Sequence, residues 1–225
     1  MGRFQASLPR PALSSPGRRL PAILALSALL PLWLAGCSPS PPKRQPFQEA
    51  DALTCPPKTE RVEDKTSAYP SYYCIGFDGR EGPWLEFDTF GRLKTTAVYV
   101  HDKLNGTWTS YHPDGSVDTT GQMVNNLRNG LWKQFYVNGN LRSEKNYLDN
   151  AVHGEVKLYY QTGILMAQGR FDSNFEEGPW QVYTPEGKLA RECEMTHGKE
   201  SKCTILIKDF QITSKFYSSS ERGAL

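Results

Sequence analysis

Two stretches of the chain, Gly106-Thr-Trp-Thr-Ser-Tyr-His-Pro-Asp-Gly115 and Gly130-Leu-Trp-Lys-Gln-Phe-Tyr-Val-Asn-Gly139, share one arrangement of glycine and aromatic residues. In each stretch a tryptophan follows the first glycine by two residues, an aromatic residue follows it by five, and a second glycine follows it by nine. The stretches begin 24 residues apart, which indicates a structural repeat of that length.

The arrangement occurs five times between residues 82 and 201. The first glycine column contains Gly82, Gly106, Gly130, Gly154 and Gly178, and the second contains Gly91, Gly115, Gly139, Gly163 and Gly187. The tryptophan column contains Trp84, Trp108, Trp132, Val156 and Trp180. The tyrosine column, five residues after the first glycine, contains Phe87, Tyr111, Phe135, Tyr159 and Tyr183. Repetition at a fixed period predicts an array in which each unit contacts only its neighbours.

Turn signals recur about every 12 residues, and no helical period accompanies them. Glycines of the second column follow residues such as Asp114 and Asn138, and Asp-Gly and Asn-Gly favour tight turns with positive φ. These glycines are therefore predicted at hairpin tips, and a further turn column, such as Asn125-Asn126, is predicted to connect one hairpin to the next. The predicted fold is all-β, an elongated antiparallel array of five 24-residue β-hairpin units.

The tryptophan and tyrosine columns lie three residues apart, which places them on opposite faces of a regular strand. Either both faces of the sheet are partly covered, or a bulge lies between the columns. We expect the rings to supply most of the core, because a thin hairpin array has few other large residues to bury. An exposed ladder of rings that binds a ligand is the alternative.

Residues 47–81 and 202–225 lie outside the strict repeat and are predicted to cap its two ends. At the carboxy-terminal end, residues 203–207 are apolar enough to form a last strand. Such a strand would cover an otherwise open sheet edge.

Residues 1–36 have the features of a signal peptide, with four arginines, no acidic residue and an apolar run that is short for a spanning helix. The sequence Leu34-Ala-Gly-Cys37 resembles the lipobox of bacterial lipoproteins. This resemblance implies cleavage before Cys37, acylation of Cys37 and attachment to a membrane of the cell envelope. Ser38 is not the aspartate of an inner-membrane retention signal, which favours the outer membrane, and residues 37–46 form a proline-rich spacer.

The charge of the chain argues against one class of partner. The sequence has 26 Lys plus Arg and 24 Asp plus Glu, and without the four arginines of the signal peptide the net charge is near −2. Proteins that bind nucleic acids normally carry a basic surface that neutralises phosphates. We therefore expect no nucleic-acid partner.

Four cysteines remain after the predicted lipidation site, which is an even number in a compartment where disulfides persist. Three connectivities are possible. Cys193 and Cys203 are equidistant from Gly198 in a predicted turn, so a cross-strand bond between them is favoured, and Cys55 would then pair with Cys74. A zinc site is the competing interpretation, but the closely spaced cysteine pairs typical of zinc ligands are missing.

With the linking His153-Gly154, the two stretches quoted first resemble the MORN-repeat variant (membrane occupation and recognition nexus). They are more narrowly similar to the bacterial family labelled antitoxin component YwqK, over about residues 76–200. The resemblance implies elongated β-hairpin arrays that serve as interaction platforms, without established catalysis. Val156 departs from the family pattern, since it replaces the fourth tryptophan.

Motifs for enzymatic chemistry are missing from the sequence, including G-x-S-x-G, the phosphate-binding G-x-x-x-x-G-K and the zinc-binding H-E-x-x-H. An active site also needs one asymmetric cluster of side chains, which a nearly symmetric array does not supply. We therefore expect neither catalysis nor a cofactor or metal.

The sequence thus predicts a lipid-anchored protein whose array binds another envelope protein, with the rings of the two aromatic columns as binding-face candidates. One alternative is a glycan or peptidoglycan ligand held by an exposed aromatic ladder, as in choline-binding repeats. Another is an antitoxin-like partner of a toxin, which the family label implies.

Overall fold

A computed structural model describes residues 48–66 and 68–208. The predicted signal peptide at 1–36 and the lipidated Cys37 with its spacer at 37–46 lie outside these residues. The described part contains a short helix, α1 (Gln48–Asp51), and fourteen strands. The strands are β1 (Glu60–Asp64), β2 (Ser71–Gly76), β3 (Gly79–Phe87), β4 (Leu93–Val100), β5 (Lys103–Leu104), β6 (Gly106–Tyr111), β7 (Val117–Val124), β8 (Leu127–Phe135), β9 (Leu141–Leu148), β10 (Ala151–Tyr159), β11 (Leu165–Asp172), β12 (Phe175–Tyr183), β13 (Leu189–Thr196) and β14 (Lys199–Ile205).

All strands belong to one antiparallel sheet in which neighbours in sequence are neighbours in space. The two-residue strand β5 pairs only with β4 and lies off the main path. Five hairpins, from β3–β4 to β12–β13, follow the five repeats of the sequence. The prediction of an all-β hairpin array is therefore confirmed.

The two turn columns differ in type. At the hairpin tips, as in the turn before Gly115, the glycine N–H donates to the carbonyl of His112 at 2.8 Å, and the glycine has a φ of 87°. A register shift follows in the returning strand, so this is a three-residue turn with a bulge. The connecting turns are tighter, because both Asn125 and Asn126 have positive φ, at 51° and 70°. The sequence predicted turns at both columns, and the structure shows that the two-residue turns with two positive φ values are those between the units.

The connecting turns also join consecutive units through their asparagine side chains. The Asn126 side-chain oxygen accepts the N–H of Leu104 at 2.6 Å, and the Asn126 N–H donates to the Leu104 carbonyl at 2.9 Å. Asn150 makes the same two bonds with Arg128, at 2.6 Å and 3.0 Å. Asparagine tolerates the left-handed backbone and offers an acceptor, which explains its presence at both positions.

The two aromatic columns lie on opposite faces of the sheet. Trp132 pairs with Lys145 across β8 and β9, and its neighbour Lys133 pairs with Glu144 on the other face. The Tyr159 hydroxyl donates to the Glu144 carboxylate at 3.1 Å, so the tyrosine column shares the face of Glu144. We name the two sides the tryptophan face and the tyrosine face. The bulge lies in the returning strand and leaves the alternation between the columns intact, so both faces are partly covered.

Small residues allow the tryptophans to lie flat on the preceding unit. A Cβ added to Gly121 would lie 2.2 Å from Cδ2 of Trp132, and one added to Gly169 would lie equally close to Trp180. In the third unit Lys145 occupies the position of these glycines, and the residue paired with it is Val156. Val156 is 2% exposed. The valine therefore fits where no glycine makes room for an indole.

The amino-terminal cap covers the first member of the tyrosine column. Ala50 of α1 packs with Tyr72 and Phe87 in a buried cluster, and Phe87 is fully buried. This packing closes the tyrosine face at the amino-terminal end of the sheet.

Tyr72 makes the cap sensitive to alkali. Burial, followed by a hydrogen bond with the Glu63 carboxylate, raises the pKa of Tyr72 to about 12. Because the pKa in the unfolded chain is about 10, the neutral phenol stabilises the fold below pH 10, and this contribution is lost between about pH 10 and pH 12. We expect Tyr72→Phe to reduce the loss of unfolding free energy over this range by about 1 to 2 kcal/mol, measured by urea unfolding. The matched control is Tyr69→Phe at an exposed tyrosine, and an equal effect there would contradict the prediction.

The last strand differs from the predicted cap. Strand β14 begins at Lys199, before the predicted boundary at residue 202, and pairs with β13 along one edge. All seven residues of β14 are exposed. Within residues 48–66 and 68–208 no strand pairs with its outer edge, so β14 is itself the edge of the described sheet.

Candidate functional site

The tryptophan column is more buried than a continuous binding ladder would be. Trp132 and Trp180 are each 4% exposed, whereas Trp84 and Trp108 are half-buried. The Nε1–H of Trp132 donates to the Gln122 carbonyl, and that of Trp180 donates to the Arg170 carbonyl, both at 3.2 Å. These indoles are therefore fixed parts of the core.

The tyrosine column is likewise tied into the sheet. Phe87 is buried, and the other four members are half-buried: Tyr111, Phe135, Tyr159 and Tyr183. The Tyr183 hydroxyl donates to Gln181 at 2.9 Å, and the Tyr111 hydroxyl lies 3.4 Å from that of Thr96. Burial, with a hydrogen bond to Glu144, raises the pKa of Tyr159. The column thus contributes mostly to packing and to bonds between neighbouring strands.

The cysteines are paired as predicted. Cys55 is bonded to Cys74 with a Cα–Cα distance of 5.5 Å, and Cys193 is bonded to Cys203 across β13 and β14 with a Cα–Cα distance of 4.1 Å. Glu200 lies close to the second pair. Because both sulfurs of that pair are consumed in the disulfide, they offer no thiolate to a metal ion.

A cleft lies on the tryptophan face, between the second and third units, with a volume of about 290 Å³. The ring centroids of Trp108 and Trp132 are 5.6 Å apart, and those of Trp132 and Tyr147 are 6.0 Å apart. We name it the aromatic cleft. Its lining residues are Trp108, Ser110, Asp118, Thr119, Arg128, Trp132, Gln134, Ser143, Lys145 and Tyr147.

Polar groups surround these rings. The Asp118 carboxylate accepts bonds from the hydroxyls of Ser110 at 3.0 Å and Thr119 at 3.1 Å. The Arg128 guanidinium lies over the Tyr147 ring, with its carbon 4.5 Å from the ring centroid. Rings combined with a few convergent polar groups are typical of small-ligand sites.

The tyrosine face carries an exposed apolar surface beside two connecting turns. Val124 pairs with Leu127 at the end of the β7–β8 hairpin, and Leu131 and Leu148 lie on the same face of β8 and β9. Each of these four residues is more than a third exposed. We name them the aliphatic patch, since contiguous exposed apolar side chains mark interaction surfaces more often than isolated ones do.

A family model for the MORN repeat variant matches four consecutive segments of the chain: residues 104–125, 128–149, 152–173 and 176–197. Each segment contains one hairpin of the sheet and ends at a connecting turn. Residues 104–197 match the family model as four tandem MORN repeats. The β3–β4 hairpin precedes the matched segments and has the same register shift before its aromatic residue, Phe87.

No curated protein sequence is significantly similar to this chain. Among solved structures, the chain is similar to the one described as "Crystal Structure of TarM", with 10% identity, a TM-score of 0.27, and coverage of 52% of this chain and 22% of that chain. It is also similar to "Crystal structure of GtfA/B complex bound to UDP and GlcNAc", with 12% identity, a TM-score of 0.20, and coverage of 54% and 26%. The chain therefore spans about a quarter or less of the length of these proteins. Residues 48–66 and 68–208 contain no helix with the length and hydrophobicity of a membrane span.

Sequence reasoning selected the repeated rings and overlooked the residues that differ between repeats. Arg128 and the aliphatic patch were not among the predicted site residues. A signal was available at Leu131, because the other units carry proline, threonine or glutamate at this position. Residues 124, 127 and 148 gave no such signal, because their columns also contain apolar residues such as Val100 and Phe175.

Proposed function

We propose that this protein is a non-catalytic, lipid-anchored protein of the cell envelope, and that its MORN repeats bind another envelope protein through the aliphatic patch. The observation that carries this proposal is the exposure of Val124, Leu127, Leu131 and Leu148 on one face of the repeats. Burying one leucine side chain contributes about 1.5 to 3 kcal/mol, so a partner that covers several of them gains useful affinity. A partner segment with aliphatic side chains suits this surface.

The regular backbone supports a binding role for the array. Asparagine bonds between units, such as that of Asn126 with Leu104, hold neighbouring hairpins in register. A surface built on paired strands loses little conformational entropy when a partner binds. The array is therefore suited to presenting a preorganised face.

The anchoring part of the proposal rests on the sequence before the described residues. The basic leader, the apolar run and the lipobox-like Leu34-Ala-Gly-Cys37 occur in the order that lipoprotein processing requires. Two or more acyl chains on Cys37 would hold the chain at a bilayer, and the proline-rich spacer would set the repeats a short distance from it.

The test is capture of partners from detergent-solubilised envelope with the full-length mature chain. We expect one protein to be recovered reproducibly, and we expect the double variant Leu131→Lys, Leu148→Lys to lower its recovery by about tenfold or more. Val137→Lys is the matched control, because Val137 is also exposed but lies in a hairpin-tip loop. A separate variant, Cys37→Ala, should move the chain out of the membrane fraction without changing capture by purified protein.

Two results would contradict the proposal. Recovery of no reproducible partner, or equal loss of that partner with Val137→Lys, would rule out the aliphatic patch as the binding surface. Membrane attachment that persists in Cys37→Ala would rule out the lipid anchor.

A further inference from the structure

The aromatic cleft lies on the opposite face from the aliphatic patch and contains a cation with an incomplete set of partners. The Nε–H of Arg128 is buried and has no hydrogen-bond partner among residues 48–66 and 68–208. One terminal nitrogen of the same guanidinium lies 3.4 Å from the Tyr147 hydroxyl. A buried donor without an acceptor is costly, and such groups are uncommon in folded proteins.

The first hairpin contains an arginine at the equivalent position, 48 residues earlier, and the Nε–H of that arginine has a hydrogen-bond acceptor. Arg80 lies over the Tyr99 ring at 4.1 Å, just as Arg128 lies over Tyr147. The Arg80 Nε, however, donates to the Asp102 carboxylate at 2.6 Å. This bond lowers the pKa of Asp102. Arg80 is therefore paired within the protein.

The corresponding position in the third unit is neutral. Asn150 stands where Asp102 stands in the first, and its side-chain oxygen accepts the backbone N–H of Arg128 at 2.6 Å instead of its guanidinium. One change of residue type thus leaves Arg128 without the carboxylate that Arg80 has. Comparison of the first and third units therefore indicates that the aromatic cleft lacks a carboxylate beside Arg128.

We propose that the aromatic cleft binds a sugar ring that carries a carboxylate, with Arg128 as the group that recognises the charge. The planar guanidinium, stacked on Tyr147, presents N–H donors suited to a carboxylate. The half-buried Trp108 offers an indole surface to the apolar side of a pyranose. Asp118 and Gln134, which line the cleft, supply polar groups for hydroxyls.

The size of the cleft favours a single ring over a long chain. Its volume of about 290 Å³ is at the lower end of the range for small-molecule sites, which begins near 300 Å³. The ligand proposed is therefore one acidic sugar residue, either free or at the end or branch of a glycan.

The test is titration of the full-length mature chain with each of three sugars in turn: glucuronic acid, N-acetylmuramic acid and glucose. Binding is detected by saturation-transfer NMR and by tryptophan fluorescence. We expect at least one of the acidic sugars to bind about tenfold or more tightly than glucose. Arg128→Gln should remove this preference. The matched control is Arg80→Gln, which changes the same residue type at the equivalent place but outside the cleft and should leave binding unchanged.

A second variant separates recognition from simple damage to the cleft. Asn150→Asp keeps Arg128 and supplies the carboxylate that Asp102 gives to Arg80, so it should weaken binding of the acidic sugar about tenfold while the fold is retained by circular dichroism. The proposal is overturned if neither acidic sugar binds more tightly than glucose. It is also overturned if Arg80→Gln weakens binding as much as Arg128→Gln does, or if Asn150→Asp has no effect. None of these outcomes bears on the aliphatic patch, because it lies on the other face.

Discussion

Replacing Gly121 with alanine is expected to lower the free energy of unfolding by about 3 kcal/mol, the upper part of the range for overpacked sites. The new Cβ would lie 2.2 Å from Cδ2 of Trp132, so the indole must move. Movement of the ring would strain or break the bond of 3.2 Å from its Nε1–H to the Gln122 carbonyl. Gly121 does not have a positive φ, so the cost comes from space and not from backbone strain.

This effect is measured by urea unfolding of Gly121→Ala in two backgrounds. With Trp132→Val present, the same substitution should cost less than about 1 kcal/mol, because the valine leaves room for the methyl group. The pair would then resemble Lys145 and Val156, where a large residue and a valine already meet. If alanine costs the same in both backgrounds, the contact with the indole is not what requires glycine at residue 121.

Removing the Cys55–Cys74 disulfide by changing both cysteines to serine is expected to cost about 3 kcal/mol. The bond closes a loop with a sequence separation of 19, and Cys74 is buried, so the change both releases a loop and places a polar group in the core. Because Cys55 follows the end of α1 by only four residues, and Ala50 of α1 packs with Tyr72 and Phe87, the cap that covers Phe87 should loosen as well. Hydrogen exchange should therefore rise first in residues 48–87.

The comparison is the other disulfide, changed to serine in the same way. Cys193 and Cys203 are separated by ten residues, and β14 is exposed, so the loss should be smaller and confined to the β13–β14 hairpin. Equal losses of unfolding free energy for the two double variants would show that the cap does not depend on its own disulfide.

The regular parts of the fold could be predicted because each one has a local cause. Glycine at the hairpin tips, turn residues between the units and a period of 24 residues define the strands without reference to distant contacts. The pairing of Cys193 with Cys203 followed from the same register, and the structure confirms it. Because each strand pairs with its neighbours in sequence, the order of strands in the sheet does not depend on contacts between distant parts of the chain.

The turn types, the glycines under the indoles and the different partners of Arg80 and Arg128 could not be predicted, because they depend on contacts between units that the 24-residue period does not reveal. The bulge at each hairpin tip and the type of the connecting turns follow from backbone geometry, which dipeptide preferences left open. The glycines under the indoles of Trp132 and Trp180 lie in the repeat before each indole, so their role is visible only when the strands are paired. Arg80 and Arg128 likewise look alike in sequence, and only the presence of Asp102 or Asn150 on a neighbouring turn distinguishes them.

The joints between repeats have an evolutionary consequence. Three consecutive units end in the same two-residue turn, with side-chain bonds from Asn126, Asn150 and Asn174, so a duplication of 24 codons between these turns would preserve both junctions. Such a duplication would add two strands and widen the sheet by roughly 10 Å. Recombination between repeats can therefore change the number of strands in the sheet while every existing hairpin stays as it is.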